Sequence, residues 1–467
     1  MNQSYKTYIV LISLLLASFP LLAQQETEAT RKLKARNEEF RPDIIKITDN
    51  VYTAVGYSVS NVSMIIGETG LIIVDTGQKP ADAEKILAEF RKITDIPVKA
   101  IVYTHGHGDH TGGASVFVGD DAPEIWSRSG HYREQEGFDL ETRTLKEAGL
   151  TINGKRGIRQ AGLTLPDEWH INNGIAPAPS FSAEGVSNPA GNVGLIEPTR
   201  TFEEDRVNLD IGGVQLDLVA ATGETYDQLY VWLPQERVIF AGDNFYKSFP
   251  NLYTIRGAPY RDVQDWYKSI DQMLKEGPRH VVPGHTRPIV GEQETVQALT
   301  NYRDAIQFVF DKTIEGMNKG MTPDELVTYV QLPDSLADQD YLTEYYGAVA
   351  WSVRSIFQGY LGWFDGNPIN LDPLTPKEEA QRMATLVGGE DQLLATAQQA
   401  LDEKDYQWAA TLTDYLLALD PNADEPKIIK ANALIGIAEN MLTATGRNYT
   451  LSYALELKKE AEANSKK

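Results

Sequence analysis

The segment Tyr103-Thr104-His105-Gly106-His107-Gly108-Asp109-His110-Thr111-Gly112-Gly113 places four side chains that can ligate a metal, His105, His107, Asp109 and His110, within six residues. Imidazole with carboxylate suits zinc, and the same set also accepts iron or manganese. The chain has only 7 histidines and three of them are here, so a polar loop with chance histidines is a poor explanation. The apolar run Ala100-Ile101-Val102 reads as a strand ending near Thr104, which would bring His105 and His107 to the mouth of a sheet. Asp109 and His110, on the following turn, can then reach a second cation. Gly106 and Gly108 are expected to let the backbone turn tightly enough to aim all four inward. The segment reads as half of a two-metal site.

The elements that must position this loop are legible on both sides of it. Residues 44–48, 51–57, 63–66 and 71–75 are short β-branched runs split by Asp49-Asn50 and Gly67-Glu68-Thr69-Gly70, the pattern of an antiparallel meander closed by Asp75-Thr76-Gly77. Residues 80–91 carry Ala83, Leu87 and Phe90 on one face behind Pro80, which predicts an amphipathic helix. A strand over 98–103 then delivers the ligand loop, and a second helix starts near Gly112. From 119 to 200 the chain is irregular and rich in Gly, Pro and Asn, and it is expected to wall the site. It holds His131, Tyr132, Trp169 and His170. Neither histidine has a ligand-type partner at motif spacing, so both read as structural. Val214-Gln215-Leu216-Asp217-Leu218-Val219 alternates as a half-buried strand does, with further strands over 229–233 and 238–241. Residues 262–274 read as a helix with Val263, Trp266, Ile270 and Leu274 inward, followed by the short strand that starts at His280.

The His105-x-His107-x-Asp109-His110 string resembles the motif of the metallo-β-lactamase superfamily. That resemblance implies an α/β fold, an αββα sandwich holding two metals at one edge of its sheets, with more ligands downstream. In the superfamily the aspartate matching Asp75 buttresses the metal loop. Ala221-Thr222-Gly223-Glu224 and Gly242-Asp243-Asn244 fall where the superfamily supplies another single-metal ligand and a bridging carboxylate. Glu224 stands where most members have histidine, a substitution that resembles the alkylsulfatase branch. That branch usually bridges its metals with glutamate. Asp243 is one methylene shorter, yet can span metals about 3.5–4 Å apart. The segment Phe249-Pro250-Asn251-Leu252-Tyr253-Thr254-Ile255-Arg256-Gly257 is similar to the Asn-Leu-x-x-x-Arg-Gly stretch through which the branch grips sulfate. Arg256 would present a planar fork of donors to an oxyanion and Asn251 a neutral one. His285, ending His280-Val281-Val282-Pro283-Gly284-His285, matches the last ligand. The resemblance thus implies one zinc on His105, His107 and Glu224 and another on Asp109, His110 and His285, with Asp243 between them. Asp109 and Asp243 are the expected catalytic carboxylates, and hydroxide formed from a bridging water the expected nucleophile.

At 467 residues the chain is long for one domain, and 42% hydrophobic with 23% charged content is ordinary for a globular protein. A net charge of -23 excludes the basic footprint of a nucleic-acid-binding surface. It also means that an anionic substrate must be drawn in by local cations. Lys6, an apolar run over 8–22 and Leu21-Leu22-Ala23 form an export signal cut near Gln24, so a periplasmic or secreted protein without stable membrane insertion is expected. With no Cys, the chain can have neither a lipoprotein anchor nor disulfides. Helices follow from about Glu292. Tyr360-Leu361-Gly362-Trp363-Phe364-Asp365-Gly366-Asn367-Pro368 is again similar to the alkylsulfatase branch. Arg354 just before it is a second substrate candidate, though it reads better as a helix-surface residue.

After Pro373 paired amphipathic helices of the tetratricopeptide kind are expected, ending at Asp420-Pro421 in one case. In the family this block dimerises the enzyme, which implies a homodimer, while a helical cap on its own sandwich is the plainer alternative. Typical alkylsulfatases carry a further sterol-carrier-like domain with no counterpart in this sequence, so the resemblance implies a reaction type more than a long-chain substrate. The expected organisation is an export peptide at 1–23, a polar tether or exposed helix at 24–41, a catalytic domain at 42–310, a helical connector at 311–375 and a helical domain at 376–467. The expected function is hydrolysis of a small anionic ester, an alkyl sulfate, by a dinuclear zinc centre. A β-lactamase, lactonase or phosphoesterase on the same metals is the alternative among enzymes. A protein-interaction module with a vestigial metal site is the alternative outside them.

Overall fold

A computed structural model describes residues 26–129, 149–178 and 194–464. The expected export peptide, together with His131 and Tyr132, lies outside the described residues. The β-branched runs build two sheets. The first contains β1 (Asp43–Lys46), β2 (Val51–Val55), β3 (Val62–Ile66), β4 (Leu71–Val74), β5 (Val98–Val102), β6 (Glu124–Arg128) and β7 (Arg200–Phe202), in that spatial order. β1 to β4 pair antiparallel, as the meander predicts, and β4 to β7 continue in parallel. β6 and β7 are short and flank the stretch that the sequence shows as irregular. The second sheet runs β13-β12-β11-β10-β9-β8, with β8 (Arg206–Ile211), β9 (Val214–Ala220), β10 (Leu229–Leu233), β11 (Val238–Gly242), β12 (His280–Pro283) and β13 (Ile289–Val290). Only β11 and β12 pair in parallel there.

Alternation decides what each face touches. Ile72, Val102, Leu218, Val231 and Phe240 fill the space between the sheets. Ile73 and Ile101, one residue away, face outward against Ile86, Phe90 and Phe117 of the helices Pro80–Phe90 and Ala114–Val118. On the far side, Tyr230, Ile239 and Val281 meet Trp266, Tyr302, Ile306 and Val353 from the helices Val263–Lys275, Glu292–Asn318 and Val349–Leu361. The result is the expected αββα sandwich. The helix Glu292–Asn318 crosses residue 310 unbroken, and Leu326, Val353 and Ile356 join the same apolar core. Much of the stretch expected to be a connector therefore completes the sandwich's outer layer.

Beyond it, five helices (Pro376–Val387, Glu390–Asp402, Tyr406–Leu419, Asp424–Glu439 and Ala444–Asn464) stack through small residues such as Ala397, Ala400, Ala409 and Ala433. The polar segment at 24–41 is not a tether. Its helix Glu28–Arg36 is wedged against the body, with Leu33 fully buried and its carbonyl accepting from Asn172 Nδ2 at 2.7 Å. Arg36 lies over the Tyr345 ring at 4.6 Å and donates to the Gly174 carbonyl at 3.2 Å. Among the described residues no helix is long and apolar enough to cross a membrane.

Candidate metal centre

The ends of the two sheets meet where β5 and β11 run out. Past β5 the chain enters the histidine segment, whose short helix Gly108–Thr111 begins after His107. Neither Gly106 nor Gly108 adopts positive φ, so the tight turn expected of them is made without left-handed backbone there. The strained position is Asp75, at φ 58, which aspartate tolerates better than a branched residue would. From it the carboxylate accepts from Thr104 N at 2.8 Å, Thr104 Oγ1 at 2.9 Å and His110 Nδ1 at 2.8 Å. Asp75 thereby sets the His110 tautomer and aims Nε2 into the cleft.

At the end of β11, Gly242 has φ 52, and a Cβ there would lie 2.2 Å from Gln228 Nε2. Glycine is needed for Asp243 to turn in. A Cβ at Gly284 would sit 2.2 Å from Asp243 Oδ1, so this glycine lets the loop bearing His285 close onto Asp243. Asn61 pins that loop, donating from Nδ2 to the carbonyls of Pro283 at 2.9 Å and Thr286 at 2.7 Å and from its backbone N–H to Gly284 at 2.7 Å. The two preceding residues also contribute. Val59 O lies 2.8 Å from His285 Nδ1, and Ser60 Oγ donates to Asp109 O at 2.5 Å. Three consecutive residues thus orient both His285 and the Asp109 backbone.

The seven predicted ligands come together. Their donor atoms form three overlapping groups, each within 4.8 Å: His105, His110 and Asp243; Asp109, His110 and His285; His107, Glu224 and Asp243. Asp243 Oδ1 is 3.2 Å from His110 Nε2, and its Oδ2 is 3.1 Å from His285 Nε2 and 4.0 Å from His105 Nε2. His105 Nε2 and His107 Nδ1 are 2.9 Å apart. Glu224 Oε2 is buried and makes no hydrogen bond, and burying such an atom unsatisfied costs about 1–3 kcal/mol. Several carboxylates and imidazole lone pairs crowded together call for positive charge among them, and a divalent cation supplies it. The donor set therefore fits metal.

Electrostatics point the same way. Burial alone would lower the His110 imidazole, but Asp243, Asp75 and Asp109 outweigh it and hold it well above its ordinary value. His285 is likewise raised, against burial, by Asp243 and Asp109. Burial drives His105 well below, with His110 and His107 adding to the effect. Burial pushes the Glu224 carboxyl up, and Arg261 opposes it.

Arg261 has no motif to announce it, and sequence reasoning missed it. Its Nη1 pairs with Glu224 Oε1 at 2.8 Å and donates to the Asn251 carbonyl at 2.7 Å, so it joins the cluster to the loop carrying the predicted substrate residues. Asn251 is buried there, its backbone N–H donating to Tyr246 Oη at 2.8 Å. Burial raises the Tyr346 hydroxyl, Glu224 adds to the effect, and Arg256 and Arg261 oppose it, so both arginines lie near Tyr346. Arg354 lies elsewhere, on the surface, paired with Asp324 at 2.8 Å. His280 accepts from Gly291 N–H at 3.2 Å, and His170 Nε2 lies 3.3 Å from Asn173 Oδ1, so both are structural.

The sandwich topology with its histidine segment at one edge is that of the metallo-beta-lactamase superfamily: residues 55–285 match that superfamily, while residues 322–460 match the alkyl sulfatase dimerisation family. Over 407 residues the sequence is 38% identical to a linear primary-alkylsulfatase of Pseudomonas sp., covering 86% of this chain and 74% of that one. It is 31% identical to an alkyl/aryl-sulfatase of Saccharomyces cerevisiae, over 89% of this chain and 64% of that protein. The solved structure of a stereoselective inverting sec-alkylsulfatase from Pseudomonas sp. superposes with a TM-score of 0.81 at 28% identity, covering 92% of this chain and 67% of that one. The chain belongs to the alkylsulfatase family, the sulfuric ester hydrolases of this superfamily.

Proposed function

We propose that the centre holds two zinc ions and that the protein hydrolyses sulfate esters of small organic alcohols. The observation that carries this reading is the convergence of seven ligand side chains beside a loop that presents Asn251 and Arg256. His105, His107 and Glu224 would hold one ion and Asp109, His110 and His285 the other, with Asp243 shared. Bound there, the cations would supply a nucleophile at neutral pH by lowering the pKa of water. Asp75 and Val59 O fix two of the imidazoles so that each Nε2 faces the cluster. Arg261 pairs with Glu224 Oε1 and opposes the upward push that burial gives that carboxyl. Asn251 and Arg256 bind and orient the sulfate, offsetting its charge as the ester bond breaks. A cavity of about 410 Å³ between this loop and the helix Val349–Leu361, lined by Tyr253, Tyr260, Arg261 and Gln358, gives room for the organic part of the ester.

A panel of alkyl sulfates, a cephalosporin, a lactone and a phosphodiester, offered to zinc-loaded protein, tests the assignment. Sulfate release is expected to exceed every other turnover. Turnover of the β-lactam alone would overturn it.

The same reading makes the protein a homodimer. Beside the dimerisation-family match, the segment joining the two domains exposes Leu361 (57%), Trp363 (70%), Ile369 (69%) and Leu371 (59%), an apolar strip of the kind that marks an interface. Light scattering should return the mass of two chains, and Trp363→Glu with Ile369→Glu should return one. A wild-type protein that stays monomeric at micromolar concentration would refute the dimer.

A further inference from the structure

The loop bearing Asn251 and Arg256 is not held by a strand. Besides Arg261 and Tyr246, which bond Asn251, it is held at its Arg256 end by a short helix that itself leans on the C-terminal domain. In the helix Ile152–Gln160, Gln160 is buried, and its Oε1 accepts from Thr254 Oγ1 at 3.1 Å and from the backbone N–H of Arg256 at 2.9 Å. Both lone pairs of the amide oxygen are thus used on the loop. Arg156 of the same helix donates to the Ile255 carbonyl at 2.5 Å. Between these two residues in sequence, Arg159 points the other way. Its Nε and Nη2 clasp Glu456 Oε1 at 2.9 Å and Oε2 at 2.5 Å, and its guanidinium lies 5.5 Å from the Tyr449 ring centre and 4.9 Å from that of Tyr453.

Glu456, Tyr449 and Tyr453 all belong to the last helix, Ala444–Asn464. The same helix reaches the catalytic domain at its other end. Asn448 Nδ2 donates to Asn172 O at 3.0 Å and Asn173 Oδ1 at 3.1 Å. Ala444 N donates to Tyr345 O at 2.8 Å and Thr445 Oγ1 to Tyr346 O at 3.0 Å.

We propose that the C-terminal helix Ala444–Asn464 sets the geometry of the sulfate-binding loop, acting through Arg159 and the helix it belongs to, with Gln160 as the positioning residue for Arg256. The inference rests on the reading of Arg256 as a sulfate contact. A guanidinium recognises an oxyanion through a fixed planar fork, so the backbone that launches it must be fixed as well. Gln160 anchors that backbone at Arg256 N–H, and the bidentate Arg159–Glu456 pair anchors Gln160's helix.

The test separates KM from kcat on an alkyl sulfate, with zinc content measured in each variant. Gln160→Ala is expected to raise KM about tenfold, the loss of one to two buried hydrogen bonds to the loop, while zinc stays at the wild-type level. Gln160→Glu retains the acceptor oxygen and should recover most of that loss, which a merely structural defect would not allow. Glu456→Gln and Arg159→Ala, neither of which touches the loop, should each raise KM several-fold, and the double variant no more than the stronger single one. Arg256→Ala is the control. If it raises KM strongly while the Gln160, Arg159 and Glu456 variants keep the wild-type KM, the positioning proposal is wrong and the sulfate reading stands. If Arg256→Ala itself leaves both KM and kcat/KM unchanged, the sulfate reading fails and the proposal falls with it.

Discussion

Replacing Asp243 with alanine should lower kcat/KM on a sulfate ester by at least about 10³-fold, since the Lewis-acid contribution of a metal centre is several kcal/mol and each ~1.4 kcal/mol is tenfold. The expectation follows from where the carboxylate sits. Its two oxygens lie 3.2 Å from His110 Nε2 and 3.1 Å from His285 Nε2, and it belongs to two of the three ligand groups. No other residue of the set faces imidazoles from both halves so closely. Without it, the two proposed cations would lose an anionic ligand, and the imidazoles His105, His110 and His285 would face one another with less negative charge among them. Zinc content should therefore fall below two per chain together with activity. Asp243→Asn keeps the shape and loses the charge, so it should fall between the two. An alanine variant that kept both ions and came within about tenfold of wild-type kcat/KM would remove Asp243 from its shared role.

Arg256→Ala should cost about 10²-fold in kcat/KM, the scale on which a positioned donor to a developing anion contributes. Zinc content should not change, because Arg256 is not in any ligand group. Arg256→Lys should restore only part of the loss, since an ammonium is a point charge without the planar fork. The large negative charge of the chain sharpens the expectation: at -23 the molecule as a whole repels a sulfate ester, and the attraction must come from a few local cations. Parallel loss of zinc and activity would mean that Arg256 supports the loop rather than the substrate.

What could be read in advance depended on how local each signal was. His105, His107, Asp109 and His110 were legible because one turn of chain carries all four, and β5 before them is an unmistakable apolar run. Glu224, Asp243 and His285 were legible only by resemblance, because nothing in their own neighbourhoods says that β9, β11 and β12 will bring them to the same edge. Arg261 was not legible at all. Its role is created when the 251–261 loop folds back on Glu224, a tertiary event with no periodic trace. The anchoring of the helix within 24–41 was hidden for a related reason. In the helix Glu28–Arg36 only Leu33 is a buried apolar side chain, so hydropathy shows a polar segment, whereas the helix is retained by the stacking and hydrogen bonds of Arg36 and by Asn172. The helix Ile152–Gln160 was hidden by Gly154 and Gly157 inside a stretch dense in turn residues, although it carries the link between the loop bearing Arg256 and the C-terminal domain.

The most direct test of the two-cation centre is a calorimetric zinc titration of chelator-treated protein, run in two buffers of different ionisation enthalpy. Carboxylates hold His110 and His285 above the ordinary imidazole value in the metal-free protein, so each favours its protonated form more than a free imidazole does, and a metal must compete with protons to bind. The expected result is saturation at two equivalents per chain, with net proton release and an affinity that weakens as the pH falls. Saturation at one equivalent, or no saturable binding, would contradict a centre built from both halves of the sandwich.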